Sequence, residues 1–595
     1  MEQLLKEKTA IIVNKLYGTN FTAQEITVNQ TAKEFTGDFT VVIFPFIKIA
    51  KKKPEEIGKE IGDALQMEIS EIDSYNVVKG FVNFKLKNEF WNNFLLKSSA
   101  DDNSQEAAHF FSLPSTHKKI MVEYAGPNTN KPLHLGHIRN IFIGYSVSEI
   151  LKAAGNEVVK VNIYNDRGIH ICKSMLAYQK FGNNDTPKSK GIKGDHLVGD
   201  YYVKFDQELK IQIAGLMLNG MSEEDAKKNA PLNVEVKEML LKWEAGDTTV
   251  RALWEMMNGW VYEGFEETYQ LIGCDFNKHY KESDTYLLGK NIVEEGLSKN
   301  VFYKRPDGAV SIDLTADGLD EKVLMRSDGT SVYITQDLGT ADLRYQDFEP
   351  DQMIYTVANE QDYHFKVLKL VTQKLGKKYA DGINHLSYGM VDLPTGKMKS
   401  REGTVVDADD LIEEMIRTAK EQTLELGKTE NFSAGEAEKL YYELGMGALK
   451  FFILKVDPRK RMIFNPKESI DFHGFTGPFI QYTYARIQSV KRKAGNSFKN
   501  TTPQIAVNES EQKLLLQLYL YPTIIKEAAA NLDPALLANY IYFIAKNFNS
   551  FYAENSIMQA ETENIKNFRL LLSDLTARVL KKGMKLLGIE VPERM

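Results

Sequence analysis

Two histidines lie three residues apart in His134-Leu135-Gly136-His137. The apolar run at 120–125 reads as a buried strand, Gly126 and two prolines break it, and apolar periodicity over 134–153 reads as a helix. The histidines therefore fall where a strand turns into a helix. A helix start leaves backbone N–H groups unpaired at the positive end of the helix dipole, which suits a phosphate. Two imidazoles a turn apart can both donate to an anion, and the missing side chain at Gly136 lets a base or ribose lie against the helix. The stretch predicts a nucleoside polyphosphate as ligand; a pair of capping or core histidines is the plainer reading. Glu123 is a second chemical signal, because an unpaired carboxylate near the end of a strand that must be buried is costly. It calls for a cationic ligand or for an internal salt bridge.

The elements around these residues predict a multidomain α/β chain. Residues 1–112 form a small α+β domain, with a helix over 2–17, a capping box at Thr22 and Glu25, a helix over 54–66 and strands over 39–44 and 81–86. Strand 120–125, helix 134–153, strand 157–164 and helix 168–181 alternate, which predicts a doubly wound, Rossmann-like parallel sheet with ligands at the strand C-terminal ends. A helical insertion over about 187–300 interrupts it, followed by a hairpin around Pro306-Asp307-Gly308. The sheet pattern resumes with strand 332–335, helix 337–345, strand 352–357, helix 363–375 and strand 385–391, so that the sheet domain spans 113–405. Residues 394–403 form a Gly- and charge-rich surface loop. A helical connection over 406–465 leads to an all-helical domain at 466–595. Trp243, Trp254 and Trp260 fall on helical spacing and read as core.

Composition narrows the function classes. With 595 residues, 43% hydrophobic and 26% charged, the chain has the make-up of a globular protein of three to four domains. It contains no apolar run of membrane-spanning length, and its charged helical start is unlike a signal peptide, which predicts a cytoplasmic protein without a membrane partner. Two distant cysteines, Cys172 and Cys274, argue for core thiols and against a disulfide framework or a structural zinc. The net charge is −7, yet 466–595 holds 16 basic against 12 acidic residues, a local +4 that lets a polyanion meet one part of an acidic chain.

His134-Leu-Gly-His137 after a strand resembles the first signature of class I aminoacyl-tRNA synthetases, and Lys397-Met-Lys-Ser-Arg401 resembles the second. Glu123-Tyr-Ala-Gly-Pro-Asn128, Tyr333-Ile-Thr-Gln-Asp337, Glu360-Gln-Asp-Tyr-His364, Gly477-Pro-Phe-Ile-Gln-Tyr-Thr-Tyr-Ala-Arg486 and Pro592-Glu-Arg-Met595 are similar, more narrowly, to the arginyl-tRNA synthetases. The resemblance runs in order along the whole chain. It implies ATP-dependent ligation of L-arginine to tRNA through an arginyl-adenylate, Mg2+ with the ATP, no zinc, a tRNA partner and a monomer. It further implies catalytic roles for His134, Gly136, His137, Lys131, Lys397 and Arg401, and an arginine site of Glu123, Asn128, Tyr333, Asp337 and Gln361. ATP would meet His134, His137, His364, Lys131 and Met398. Asn83 would meet the tRNA elbow, and Gln481, Tyr482, Arg486 and Met595 the anticodon side. The second signature departs from the class pattern, with Ser400 where a lysine is usual, and Lys131 occupies the place in which this family carries a compensating lysine. A non-catalytic tRNA-binding relative and a class I synthetase for another amino acid are the alternatives.

Overall fold

A computed structural model describes residues 1–100, 110–111, 113–392, 394, 406–427, 432–495 and 504–595. The chain divides into two compact units. One comprises Met1–Phe111, Arg486–Pro522 and Phe543–Val579; the other comprises Ser112–Ala485, Thr523–Tyr542 and Leu580–Met595. The helical stretch expected as one domain at 466–595 thus contributes segments to both.

In the first unit, strands β1 (Val28–Gln30), β2 (Phe39–Val42), β3 (Ile72–Val78) and β4 (Phe81–Leu86) form an antiparallel sheet in the order β1-β2-β4-β3. Helices Glu2–Tyr17 and Pro54–Glu68 accompany it, the latter packing on β3, where Gly58 and Gly62 leave room for Val77 and Tyr75. The strand expected to reach residue 44 ends at Val42, and Phe44 opens the short helix Phe44–Ala50. The Thr22–Glu25 box heads only a single 3-10 turn, Ala23–Glu25. Helices Glu509–Tyr519 and Glu563–Leu586 are joined within this unit by the buried pair Arg569–Glu511, 2.8 Å apart.

The second unit is built on a five-stranded parallel sheet in the order β12-β11-β5-β6-β7. Its strands are β5 (Lys119–Glu123), β6 (Glu157–Tyr164), β7 (Lys278–Lys281), β11 (Gln352–Ala358) and β12 (Ile383–Tyr388). Central β5 pairs on both sides, which explains its unbroken apolar run. Three findings differ from expectation. The helical insertion, with Gly194–Leu218, Pro231–Glu244 and Thr248–Leu271, stops before residue 300, because β7 lies in that span and completes the sheet. The expected strand at 332–335 is the first turn of helix Tyr333–Phe348, which buries Ile334 and Leu338. The hairpin acquires a third strand, β10 (Lys322–Met325), beside β8 (Tyr303–Lys304) and β9 (Val310–Ile312). Trp243 is buried, and Trp254 packs edge-on against it at 5.5 Å. Both cysteines are buried, which pushes their thiols up to about 12.

Helix Leu135–Ala153 lies against the end of β5 so closely that a Cβ on Gly144 would sit 2.3 Å from Tyr124 Cβ. Both atoms belong to rigid elements, so relief requires the helix to move. Gly144→Ala is expected to destabilise this unit by about 1–3 kcal/mol through overpacking. A drop in its thermal unfolding midpoint checks this.

Candidate active site

The first site residues stand at the head of helix Leu135–Ala153. His134 is its N-cap, with extended backbone, and its Nδ1 accepts the Gly136 N–H at 3.1 Å. His137 Nδ1 accepts the His134 N–H at 3.1 Å, and the two rings stack with centroids 3.8 Å apart. With both Nδ1 atoms accepting, the proton of each neutral ring resides on Nε2, where it can be donated to a ligand. Burial, followed by the neighbouring Lys131, pushes His134 down to about 3. Burial, then His134 and Lys131, carries His137 well below the ordinary imidazole range. Both are neutral donors at physiological pH. Gly136 has a local reason as well: a Cβ there would meet the His134 ring at 3.0 Å and disturb the cap. Lys131 is lowered by burial alone and has no ion-pair partner among the described residues. Backbone bonds pin this helix start from outside, Leu135 N–H to Val406 O at 3.2 Å and Ala408 N–H to Leu133 O at 3.0 Å.

Around the end of β5 the chemistry changes sign. Glu123 forms an ion pair with buried Arg344, whose guanidinium lies 5.1 and 5.5 Å from the ring centres of Tyr280 and Tyr355. The internal salt bridge is therefore present. Asn140 fixes the turn that follows, accepting from Ala125 N–H and donating to Thr356 O, both at 2.7 Å. A cavity of about 890 Å3 opens beside this turn, and Asn128, Tyr333 and Asp337 all line it; Glu123 and Gln361 are not among its lining residues. That volume lies within the range of small-molecule sites. Tyr333 begins its helix and is 79% exposed. Asp337 sits in the second turn rather than capping the helix, and His364 Nε2 approaches its carboxylate at 2.6 Å. His364, expected with ATP, thus contacts a residue of the expected arginine set.

Sequence reasoning missed Glu282, which lines the same cavity directly after β7. Burial raises its carboxyl to about 7, Arg167 opposing and Asp166 and Asp337 adding to the rise. The signal was available as a carboxylate following a strand, but the strand itself was absorbed into the expected insertion.

The other expected residues are more scattered. Gln361 is exposed, one residue before helix Asp362–Lys374. Lys397, Met398 and Arg401 lie outside the described residues. Asn83 is buried in β4, accepting from Thr40 Oγ1 at 2.6 Å and donating to Asn76 Oδ1 at 2.9 Å. Gln481 is also buried, its amide donating to Glu443 O and Glu590 O at 2.8 Å each. The NH2 groups of both amides are occupied internally, which a polar residue type does not reveal. Arg486 is half-buried and donates to Asn549 Oδ1, while Tyr482 and Met595 are half-buried.

The model of the class I arginine-type tRNA synthetase catalytic domain matches residues 105–465. The arginyl-tRNA synthetase N-terminal domain matches 2–86, and the DALR anticodon binding domain matches 480–595. The arginine–tRNA ligase of Parabacteroides distasonis is 54% identical, with 98% of each chain covered. That of Flavobacterium psychrophilum is 53% identical over the full length of both. In fold, the chain is similar to the Thermus thermophilus arginyl-tRNA synthetase, with TM-score 0.82, 24% identity and both chains fully covered. The signature helix start, the sheet that carries it and these matches over the whole length agree: the chain belongs to the class I arginyl-tRNA synthetases.

Proposed function

We infer that the chain joins L-arginine to its tRNA in two steps. The arginine carboxylate attacks the α-phosphate of ATP, forming arginyl-adenylate and releasing pyrophosphate; a ribose hydroxyl at the tRNA 3′ end then takes the arginyl group and AMP leaves. One observation carries the reading: groups at the end of the sheet are sorted by charge. Neutral imidazole donors, a helix start and an ammonium without an ion-pair partner among the described residues suit a triphosphate, while a cavity lined by Glu282 and Asp337, and by Glu244 paired to Arg167, suits a guanidinium.

In this assignment the Nε2–H groups of His134 and His137 and the ammonium of Lys131 face phosphate oxygens. There they stabilise charge that builds on the α-phosphate and the departing pyrophosphate. Lys397, Arg401 and Met398 belong to the same ATP set. Magnesium, as counter-ion of the triphosphate, would be held by phosphate oxygens and water, since this helix start offers imidazole and ammonium rather than carboxylate. Glu282 and Asp337 take the guanidinium, with Tyr333 as a ring face and Asn128 and Gln361 as amides for the substrate's own polar ends. His364 orients Asp337. Glu123 can meet the substrate only by exchanging Arg344 for it, so it acts at the back of the site. Tyr482, Arg486 and Met595 are assigned to tRNA, while Gln481 and Asn83 position backbone and side chains behind such contacts. We place the chain in the cytoplasm as a monomer that needs no zinc.

ATP–pyrophosphate exchange, run with each amino acid separately and with total tRNA, should respond to arginine alone; exchange with a different amino acid would overturn the assignment. The raised carboxyl of Glu282 gives a signed pH dependence. Its pKa in the free protein lies near 7, and a bound guanidinium favours the ionised form, so arginine binding releases a proton below that pH. The arginine KM should therefore fall as pH rises through about 7 and level off above it. Glu282→Gln should remove the slope and raise KM about tenfold or more, the worth of a charge-assisted hydrogen bond. Lys131→Met should lower kcat for exchange about 100-fold while shifting the arginine KM less than about twofold.

A further inference from the structure

A half-buried ionic cluster stands beside the signature helix start without belonging to it. Asp409, in the first turn of helix Ala408–Glu425, receives three side chains: Lys193 Nζ at 2.6 Å, His196 Nε2 at 3.0 Å and Thr268 Oγ1 at 3.0 Å. Lys193 and His196 come from the start of Gly194–Leu218, and Thr268 from Thr248–Leu271, so two insertion helices converge on one carboxylate. Lys193 Nζ also donates to Thr268 Oγ1 at 2.6 Å. Asp195 lies beneath it, fully buried, with neither oxygen hydrogen-bonded and Lys193 Nζ 3.7 Å away. The missing side chain of Gly264 admits it, since a Cβ there would fall 2.3 Å from Asp195 Oδ1.

The cluster reaches the site through backbone. Asp407 caps Ala408–Glu425, accepting from Asp409 N–H at 2.8 Å, and its carboxylate lies 3.7 Å from His196 Nε2. The same segment bridges His134, Asp407 pairing with it as an isolated antiparallel bridge between the bonds of Leu135 to Val406 and of Ala408 to Leu133. We propose that His196 is a positioning residue for adenylate formation, holding Asp407 and Asp409 so that the 406–408 backbone keeps His134 and His137 in place for ATP. The proposal rests on the assignment of those histidines to ATP.

The groups facing His196 are Asp409, Asp407 and Asp195, with Asp200 one turn along its own helix, Lys193 beside it and Lys190 beyond Asp200. Thr268 is the neutral contribution of the second insertion helix, and Asp410 is exposed. The hydrogen bond to Asp409 is the foremost influence raising His196 to about 9, burial opposing it and Asp407 and Asp195 adding to the rise. A raised histidine supports the folded arrangement fully below its ordinary pKa and loses that support as pH rises through about 9.

The test is ATP–pyrophosphate exchange by the full chain with tRNA, for wild type, His196→Asn, His196→Gln and His134→Ala, with ATP and arginine varied separately. His196→Asn should raise the ATP KM about tenfold and leave the arginine KM within about twofold. His196→Gln, which can still donate to Asp409 but is uncharged, should fall between. The wild-type kcat/KM for ATP should decline as pH passes about 9 more steeply than that of His196→Gln. An unchanged ATP KM in both variants, equal losses for both substrates, or parallel pH profiles would overturn the proposal, and the wild-type and His196→Gln profiles decide it if His196→Asn does not fold. If His134→Ala leaves the ATP KM unchanged, the ATP assignment fails instead.

Discussion

The close packing of helix Leu135–Ala153 on β5 is the constraint from which the catalytic unit follows. Gly144 removes the side chain that would hold the helix away from Tyr124, and Asn140 spends its amide on the backbone of the turn after β5 and on β11. The helix start therefore cannot shift without breaking buried hydrogen bonds, each of which would leave a group unpaired at about 1–3 kcal/mol. A helix dipole falls off within its first turn, so a displacement of a few ångströms would waste it. Rigid seating is what would let the helix start act, in the proposed assignment, as a preformed phosphate site.

Burial then sets the protonation of everything near that seat. At the helix start it keeps two imidazoles uncharged, so they donate hydrogen bonds without repelling Lys131. In the cavity it acts on Glu282 in the opposite sense, raising its carboxyl to about 7. Low dielectric makes each charge expensive alone and strongly attracted to a partner. In the proposed assignment, with a polyanion at the helix start and a guanidinium in the cavity, the site gains selectivity from this, because the wrong ligand leaves a buried charge unmatched.

Much of this was legible because local patterns and the fold agree. The strand, Gly-Pro break and periodic run around residues 120–153 appear where expected, with His134 as the cap. The misreadings have separate causes. Val332-Tyr-Ile-Thr335 is rich in β-formers, yet packing of Ile334 and Leu338 makes its last three residues helical, a case of tertiary context overriding propensity. β7 escaped notice because Lys278-His-Tyr-Lys281, an edge strand, buries only Tyr280 and so shows no apolar run. Asn83 and Gln481 are expected at tRNA from the resemblance, whereas the amide N–H groups of each donate inside the fold.

Glu123 marks the limit of what a single position can reveal. Its place at the end of a buried strand correctly demanded a cationic partner, and the residue type on the other side could have come from a ligand or from the chain. Arg344 supplies it from a helix far along the sequence, at a distance no local pattern encodes. By neutralising the carboxylate at the end of β5, the pair leaves Glu282 and Asp337, with Glu244 paired to Arg167, as the carboxylates that line the cavity. In the proposed assignment a guanidinium entering that space meets carboxylates in its wall, so its orientation follows from electrostatics before any contact is closed.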